Sequence, residues 1–145
     1  MAIALTATIA QPALANRLTF WRFDQSTNRL EFRTDTSVQP RARLLFYPTR
    51  LLVDLPGISV SGQTITRPLT GNYRSIRIGQ FDSTTARLVL ELQPGYTLDP
   101  KEIKFTGNNP VEWYATLPQP QRIADVPTLY PSNPPSPTAP PQPPR

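Results

Sequence analysis

Phe23-Asp24-Gln25-Ser26-Thr27-Asn28-Arg29-Leu30-Glu31-Phe32 and Phe81-Asp82-Ser83-Thr84-Thr85-Ala86-Arg87-Leu88-Val89-Leu90 are two copies of one local pattern, set apart by 58 positions (81 minus 23). Phe, Asp, Thr, Arg and Leu are identical between them. In each copy a polar turn runs into a strand of period two. Leu30 and Phe32 share one face of the first strand, and Leu88, Leu90 and Leu92 share one face of the second. The same offset carries Val53-Asp54-Leu55 onto Val111-Glu112-Trp113 and Leu45 onto Ile103. Two similar half-domains are predicted, each opening with a hairpin, ending in a strand and forming one sheet. Two copies are too few for a solenoid.

Further strand candidates are 17–23, 42–47, 50–55, 74–80, 103–106 and 111–117. Turn chemistry separates them at Gln25–Asn28, Tyr47–Thr49, Leu55–Gly57, Gln93–Gly95 and Gly107–Pro110. No window carries an i, i+3, i+4, i+7 apolar stripe of useful length. The expected fold is all-β, a sandwich of two similar antiparallel sheets built by internal duplication, because short strands need a facing sheet to bury their apolar sides. Residues 16–117 form the foldable unit.

The ends read differently. Residues 1–15 are apolar, close on Ala13-Leu14-Ala15 and carry no Lys or Arg, the first being Arg17. That pattern fits the later part of a signal peptide and predicts export, and it is too short to span a bilayer. After Leu117 come 11 of the 19 prolines. With few backbone donors and little apolar mass, 118–145 is expected to be an extended, disordered linker, a spacer to whatever follows it. A PxxP ligand such as Pro137-Thr138-Ala139-Pro140 matches too easily here to carry a reading.

The chain has no Cys and no His. Sites built on imidazole or thiolate, Cys–His and Ser–His–Asp nucleophiles, and disulfides are therefore excluded for these residues, and neither a metal nor a cofactor is expected. The formal net charge of +5 is carried by 13 Arg and 2 Lys. Arg presents a flat fork of donors suited to carboxylates and phosphates.

The repeat sorts the candidate residues. Asp24 and Asp82 occupy equivalent turn positions and read as turn caps. The matched Arg29 and Arg87 read first as structural ion-pair partners. Opposite Arg74 and Arg77 the repeat has Asn16 and Thr19, and opposite Gly79 it has Trp21, so the 73–80 strand carries charge that architecture does not demand. Arg74 and Arg77 have opposite parity; a bulge at Gly79 is the feature that would relax it. In 111–117, Trp113 shares the parity of Val111 and Ala115 and is expected in the core, leaving Tyr114 outside.

Arg50-Leu51-Leu52-Val53-Asp54-Leu55-Pro56-Gly57, Ile76-Arg77-Ile78-Gly79-Gln80-Phe81 and Arg87-Leu88-Val89-Leu90-Glu91-Leu92, in that order, resemble the AMIN domain of bacterial cell-wall amidases and some pilus secretins. The resemblance covers residues 17–117. It implies a symmetric two-sheet sandwich in an exported, periplasmic envelope protein, and a non-catalytic role in holding an enzyme or pore at peptidoglycan, often at the division septum. The 118–145 segment then looks like the spacer before a zinc-dependent N-acetylmuramoyl-L-alanine amidase domain, whose His ligands are absent from this chain.

Peptidoglycan offers sugar faces, carboxylates and amides, which Arg forks and exposed aromatics suit. The candidate ligand-binding residues are Arg74 and Arg77, supported by Arg50, Arg87, Trp21 and Tyr114. The expected partner is peptidoglycan, with other envelope or divisome proteins as a further class; neither nucleic acid nor a transmembrane segment is expected. Three rival readings stand beside it: a protein-interaction module of a pilus secretin or other envelope complex, a glycosidase using Asp54 with Glu91, and a nucleic-acid reader of OB type.

Overall fold

A computed structural model describes residues 16–131. The apolar leader at 1–15 and the proline-rich stretch from 132 onward lie outside the described residues. The chain runs β1 (Leu18–Asp24), β2 (Arg29–Thr34), β3 (Arg41–Leu45), β4 (Arg50–Pro56), β5 (Ile65–Pro68), β6 (Tyr73–Asp82), β7 (Thr85–Leu92), β8 (Tyr96–Thr97), β9 (Lys104–Asn109), β10 (Glu112–Thr116) and β11 (Gln121–Arg122). Every strand expected from the alternation is present. The short β5, β8 and β11 are additional.

The strands form two principal antiparallel sheets. Sheet I has the order β1-β2-β10-β9 and sheet II the order β3-β4-β7-β6-β5. Leu30 and Phe32 from sheet I meet Leu51, Val53, Leu55, Ile76, Ile78, Leu88, Leu90 and Leu92 from sheet II, all at most 2% exposed. Full burial of such a side chain is worth about 1.5–3 kcal/mol, which makes this double layer the main source of stability. The alternation dictates the rest: residues between these buried ones point out to the two outer faces.

The duplication is real, but the halves do not form one sheet apiece. Sheet I joins the β1-β2 hairpin of the first half to the β9-β10 hairpin of the second, and sheet II joins β6-β7 to β3-β4. The orders β1-β2-β10-β9 and β6-β7-β4-β3 are therefore equivalent under a pseudo-twofold, with β5 added at one edge. Strand similarity reports equivalent positions and says nothing of which strand supplies the neighbour. The offset also changes partway. Leu30 and Leu88 are 58 apart, yet Leu30 pairs with Ala115 and Leu88 with Val53, so the second hairpins are offset by 62 (115 minus 53). The earlier superposition of Val53 on Val111 is thus out of register by four positions.

The chain after Leu117 is not an extended spacer from its start. β11 pairs with β8, Ile123 N–H donates to Gly95 O at 2.9 Å, and 3-10 turns follow at Ile123–Asp125 and Pro127–Leu129. Tyr130 then packs edge-on against Phe46 and Tyr47 with centroids 5.4 and 4.4 Å away, and Tyr47 O–H donates to Pro131 O. Proline density masked the anchors Ile123, Val126, Leu129 and Tyr130, each half-buried.

Candidate binding face

The outer face of sheet II is written in its register. One row runs Arg41–Asp54–Arg87–Gly79, the next Arg43–Leu52–Val89–Arg77–Thr66, and the third Leu45–Arg50–Glu91–Ser75–Pro68. A register shift between Tyr73 and Ser75 leaves Arg74 as a bulged residue. The bulge lets Arg74 reach the same face as Arg77, so the parity conflict is resolved there and not at Gly79. Gly79 sits in regular pairing with Arg87, and its own reason is close approach: a Cβ would meet Thr64 Oγ1 at 2.5 Å. A second shift, between Gln80 and Asp82, turns Phe81 outward, where it is 55% exposed.

Six arginines share this face with two carboxylates. Asp54 accepts from Arg87 Nε at 2.6 Å and Nη2 at 3.0 Å, a bidentate pair across β4 and β7. These hydrogen bonds raise the Arg87 guanidinium above its ordinary value. Phe81 lies 3.5 Å beneath the same guanidinium, so Arg87 is held in its plane by a carboxylate and on its face by a ring. Glu91 takes Arg74 at 3.3 Å. Asp54 and Glu91 are thus ion-pair partners on separate rows and do not converge as a catalytic pair.

Arg41, Arg43, Arg50 and Arg77 have no carboxylate within ion-pair range among the described residues. Arg50 and Arg77 line one groove of about 350 Å³, with Leu52 and Val89 as its floor and Phe81, Gln80 and Leu45 along its walls. Arg50 Nε is buried and has no hydrogen-bond partner among the described residues.

Sheet I presents the opposite balance. Arg22 pairs with Asp24 at 3.3 Å, Arg29 with Glu31 at 2.9 Å and Arg33 with Glu112 at 3.7 Å. Tyr114 is on this outer face as expected, but the Arg29 guanidinium covers its ring at 3.8 Å. Trp21 turns inward, registered with buried Phe32 and packed against the core, with Arg67 over its ring at 5.1 Å. Trp113, also registered with Phe32, packs against the core from β10.

Of the sequence candidates, the fold brings Arg50, Arg77 and Arg87 into one groove and Arg74 beside it, and separates Trp21 and Tyr114 from them. Arg41, Arg43, Leu52, Val89 and Phe81 were missed. The alternation Arg41-Ala42-Arg43 and Arg50-Leu51-Leu52 marked the first residues, but which strands neighbour which was needed to place them together.

Asp24 and Asp82 are turn caps. Asp24 Oδ1 accepts from Ser26 N–H at 2.9 Å and Ser26 Oγ at 2.5 Å, and Asp82 Oδ1 accepts from Thr84 N–H at 2.8 Å. The Ser26 hydroxyl for Asp24 and the Thr84 amide for Asp82 are the main causes that hold both carboxyls below their usual value.

Two exchanged hairpin pairs make an antiparallel sandwich whose unpaired arginines gather on the outer face of sheet II. The model of the AMIN domain matches residues 17–117, and the chain belongs to that family. AMIN domains are non-catalytic, bind peptidoglycan or other envelope components, and occur in amidases and secretins. No curated protein matches the chain. Among the described residues no helix is long and apolar enough to cross a membrane.

Proposed function

We propose that this chain binds peptidoglycan through the outer face of sheet II and holds a partner activity, a zinc-dependent N-acetylmuramoyl-L-alanine amidase beyond these residues, at the cell envelope in the region of the division septum. The observation that supports this is the set of four arginines, Arg41, Arg43, Arg50 and Arg77, left without carboxylates on a face otherwise well paired. A polymer bearing many carboxylates meets such a face repeatedly, so weak single contacts add through multivalency. The protein works outside the cytoplasm and requires no cofactor of its own.

Co-sedimentation of the full chain with purified sacculi tests this. Wild type pellets with the sacculi, Arg50→Ala/Arg77→Ala stays largely in the supernatant, and equal pelleting of the two removes the arginine face from the account. Phe81, 55% exposed on the outer face beside Arg87, favours a second reading, contact with another envelope protein such as a secretin. Failure to pellet together with capture of such a protein by the wild type, and not by Phe81→Ser, would favour it.

A further inference from the structure

We infer that the Arg50–Arg77 groove takes the free terminal carboxylate of a peptide stem ending in a small residue such as alanine, and not the sugar chain. This rests on the peptidoglycan reading above. The groove's chemistry selects between the parts of that polymer. Arg50 and Arg77 bring two guanidinium groups, neither committed to a carboxylate, to one concavity. Paired forks of this kind fit a planar anion with parallel hydrogen bonds. Between them lie Leu52 and Val89, 6% and 8% exposed, an apolar floor on which a methyl group rests without an unpaired polar atom. The volume of about 350 Å³ lies at the small end of the roughly 300–1,000 Å³ typical of ligand sites, enough for a short chain end.

A sugar ring finds a single aromatic here among the described residues: Phe81, 55% exposed, carries Arg87 on one face at 3.5 Å, whereas two guanidinium groups in the same groove call for an anion. Trp21 and Tyr114 belong to sheet I and carry Arg67 and Arg29 over their rings. The lactyl carboxyl of the sugar is no rival in the intact polymer, because it is consumed in the amide that begins the stem. The peptide end is the remaining free carboxylate with an adjacent methyl group.

The test is a titration of the full chain, followed by backbone amide shifts, with acetyl-D-alanyl-D-alanine, its C-terminal amide, N-acetylmuramic acid and an N-acetylglucosamine tetramer, alongside sacculus pelleting. The expected result is that the free acid moves amides of β4, β6 and β7, and binds about tenfold or more tightly than the amide, the worth of one charge-assisted hydrogen bond. Arg50→Lys, which keeps the charge and loses the fork, weakens the acid without unfolding the domain. Equal binding of acid and amide, tighter binding of N-acetylmuramic acid, or tetramer shifts in the groove would overturn the inference. If sacculi pellet and the acid does not bind, the inference fails while the peptidoglycan reading stands; if sacculi do not pellet, that reading fails first.

Discussion

The two outer faces of this sandwich descend from one duplicated pattern and have opposite electrostatics. On sheet I each of Arg22, Arg29 and Arg33 has its own carboxylate. On sheet II two carboxylates serve six arginines, and a groove opens between the unserved ones. Equivalent positions show the change directly. In the first half Glu31 lies on the strand of Arg29, two residues away; in the second Val89 stands there beside Arg87, and becomes the floor of the groove. Duplication supplied two similar scaffolds, and substitution at outward positions left the arginines of one face paired and most of those on the other without carboxylates. The outward side chains were free to differ because they carry little of the core's burial energy.

The comparison is broken most directly by charge reversal on each face. Arg77→Glu is expected to reduce sacculus binding about tenfold or more, whereas Arg33→Glu changes it less than about twofold, with sedimentation at matched salt as the measurement. A similar loss for both would mean that net charge alone, and not the sheet II groove, governs binding.

The pairs themselves differ in weight. Asp54 and Arg87 side chains are 20% and 18% exposed, against 41% and 54% for Glu112 and Arg33. Asp54→Ala strands a partly buried guanidinium and is expected to lower unfolding free energy by about 2 kcal/mol in urea titration. Glu112→Ala breaks an exposed pair and should cost less than about 0.5 kcal/mol. Equal costs would show that Arg87 is held by Phe81 and not by its carboxylate.

What joins the two sheets is sharpened by Tyr73. This residue, 3% exposed on β6, donates to Asn28 Oδ1 at 3.0 Å in the β1-β2 turn and meets Phe23 edge-on at 4.9 Å. Burial raises its phenol above the ordinary value of 10.0. A group whose folded pKa is raised contributes stability that is complete below the unfolded pKa and lost as pH climbs through the folded one. Unfolding stability should therefore fall above about pH 10 in the wild type, and Tyr73→Phe, costing about 1 kcal/mol at neutral pH, should flatten that decline. An unchanged alkaline limb in Tyr73→Phe would assign it to another group.

Much of the fold was legible because alternation is a local property. Leu88, Leu90 and Leu92 announce a strand without knowledge of its neighbours, and the expected strands all formed. Sheet membership was not legible, since the partner of Leu30 is Ala115, 85 positions away (115 minus 30). The proposed binding face was not legible in sequence for the same reason. Arg50 and Arg77 come together only because β7 lies between β4 and β6, and Arg74 joins them only through a bulge. That Trp21 and Tyr114 lie on the other sheet, with Arg67 and Arg29 over their rings, was not legible for the same reason.

The smallest effect concerns the feature that the two halves kept unchanged, the aspartate opening each hairpin turn. Asp24 is relieved mainly by the Ser26 hydroxyl and Asp82 mainly by the Thr84 amide, and both carboxyls are held below 3.8. A lowered folded pKa contributes stability present above the unfolded pKa and lost as pH falls through the folded one. Asp24→Asn and Asp82→Asn should each be slightly less stable than wild type at pH 7, and the difference should close below about pH 4. Asn still accepts the amide hydrogen bond, so the charge alone is removed, and the two turns should respond alike apart from the exposed Arg22 pair that Asp24 also loses. Thermal unfolding of the two variants between pH 7 and pH 3 measures this. A difference that does not narrow at all as pH falls from 7 to 3 would show that geometry, and not ionisation, is what the aspartates contribute, and unequal responses would show that the halves diverged at their turns as well as on their faces.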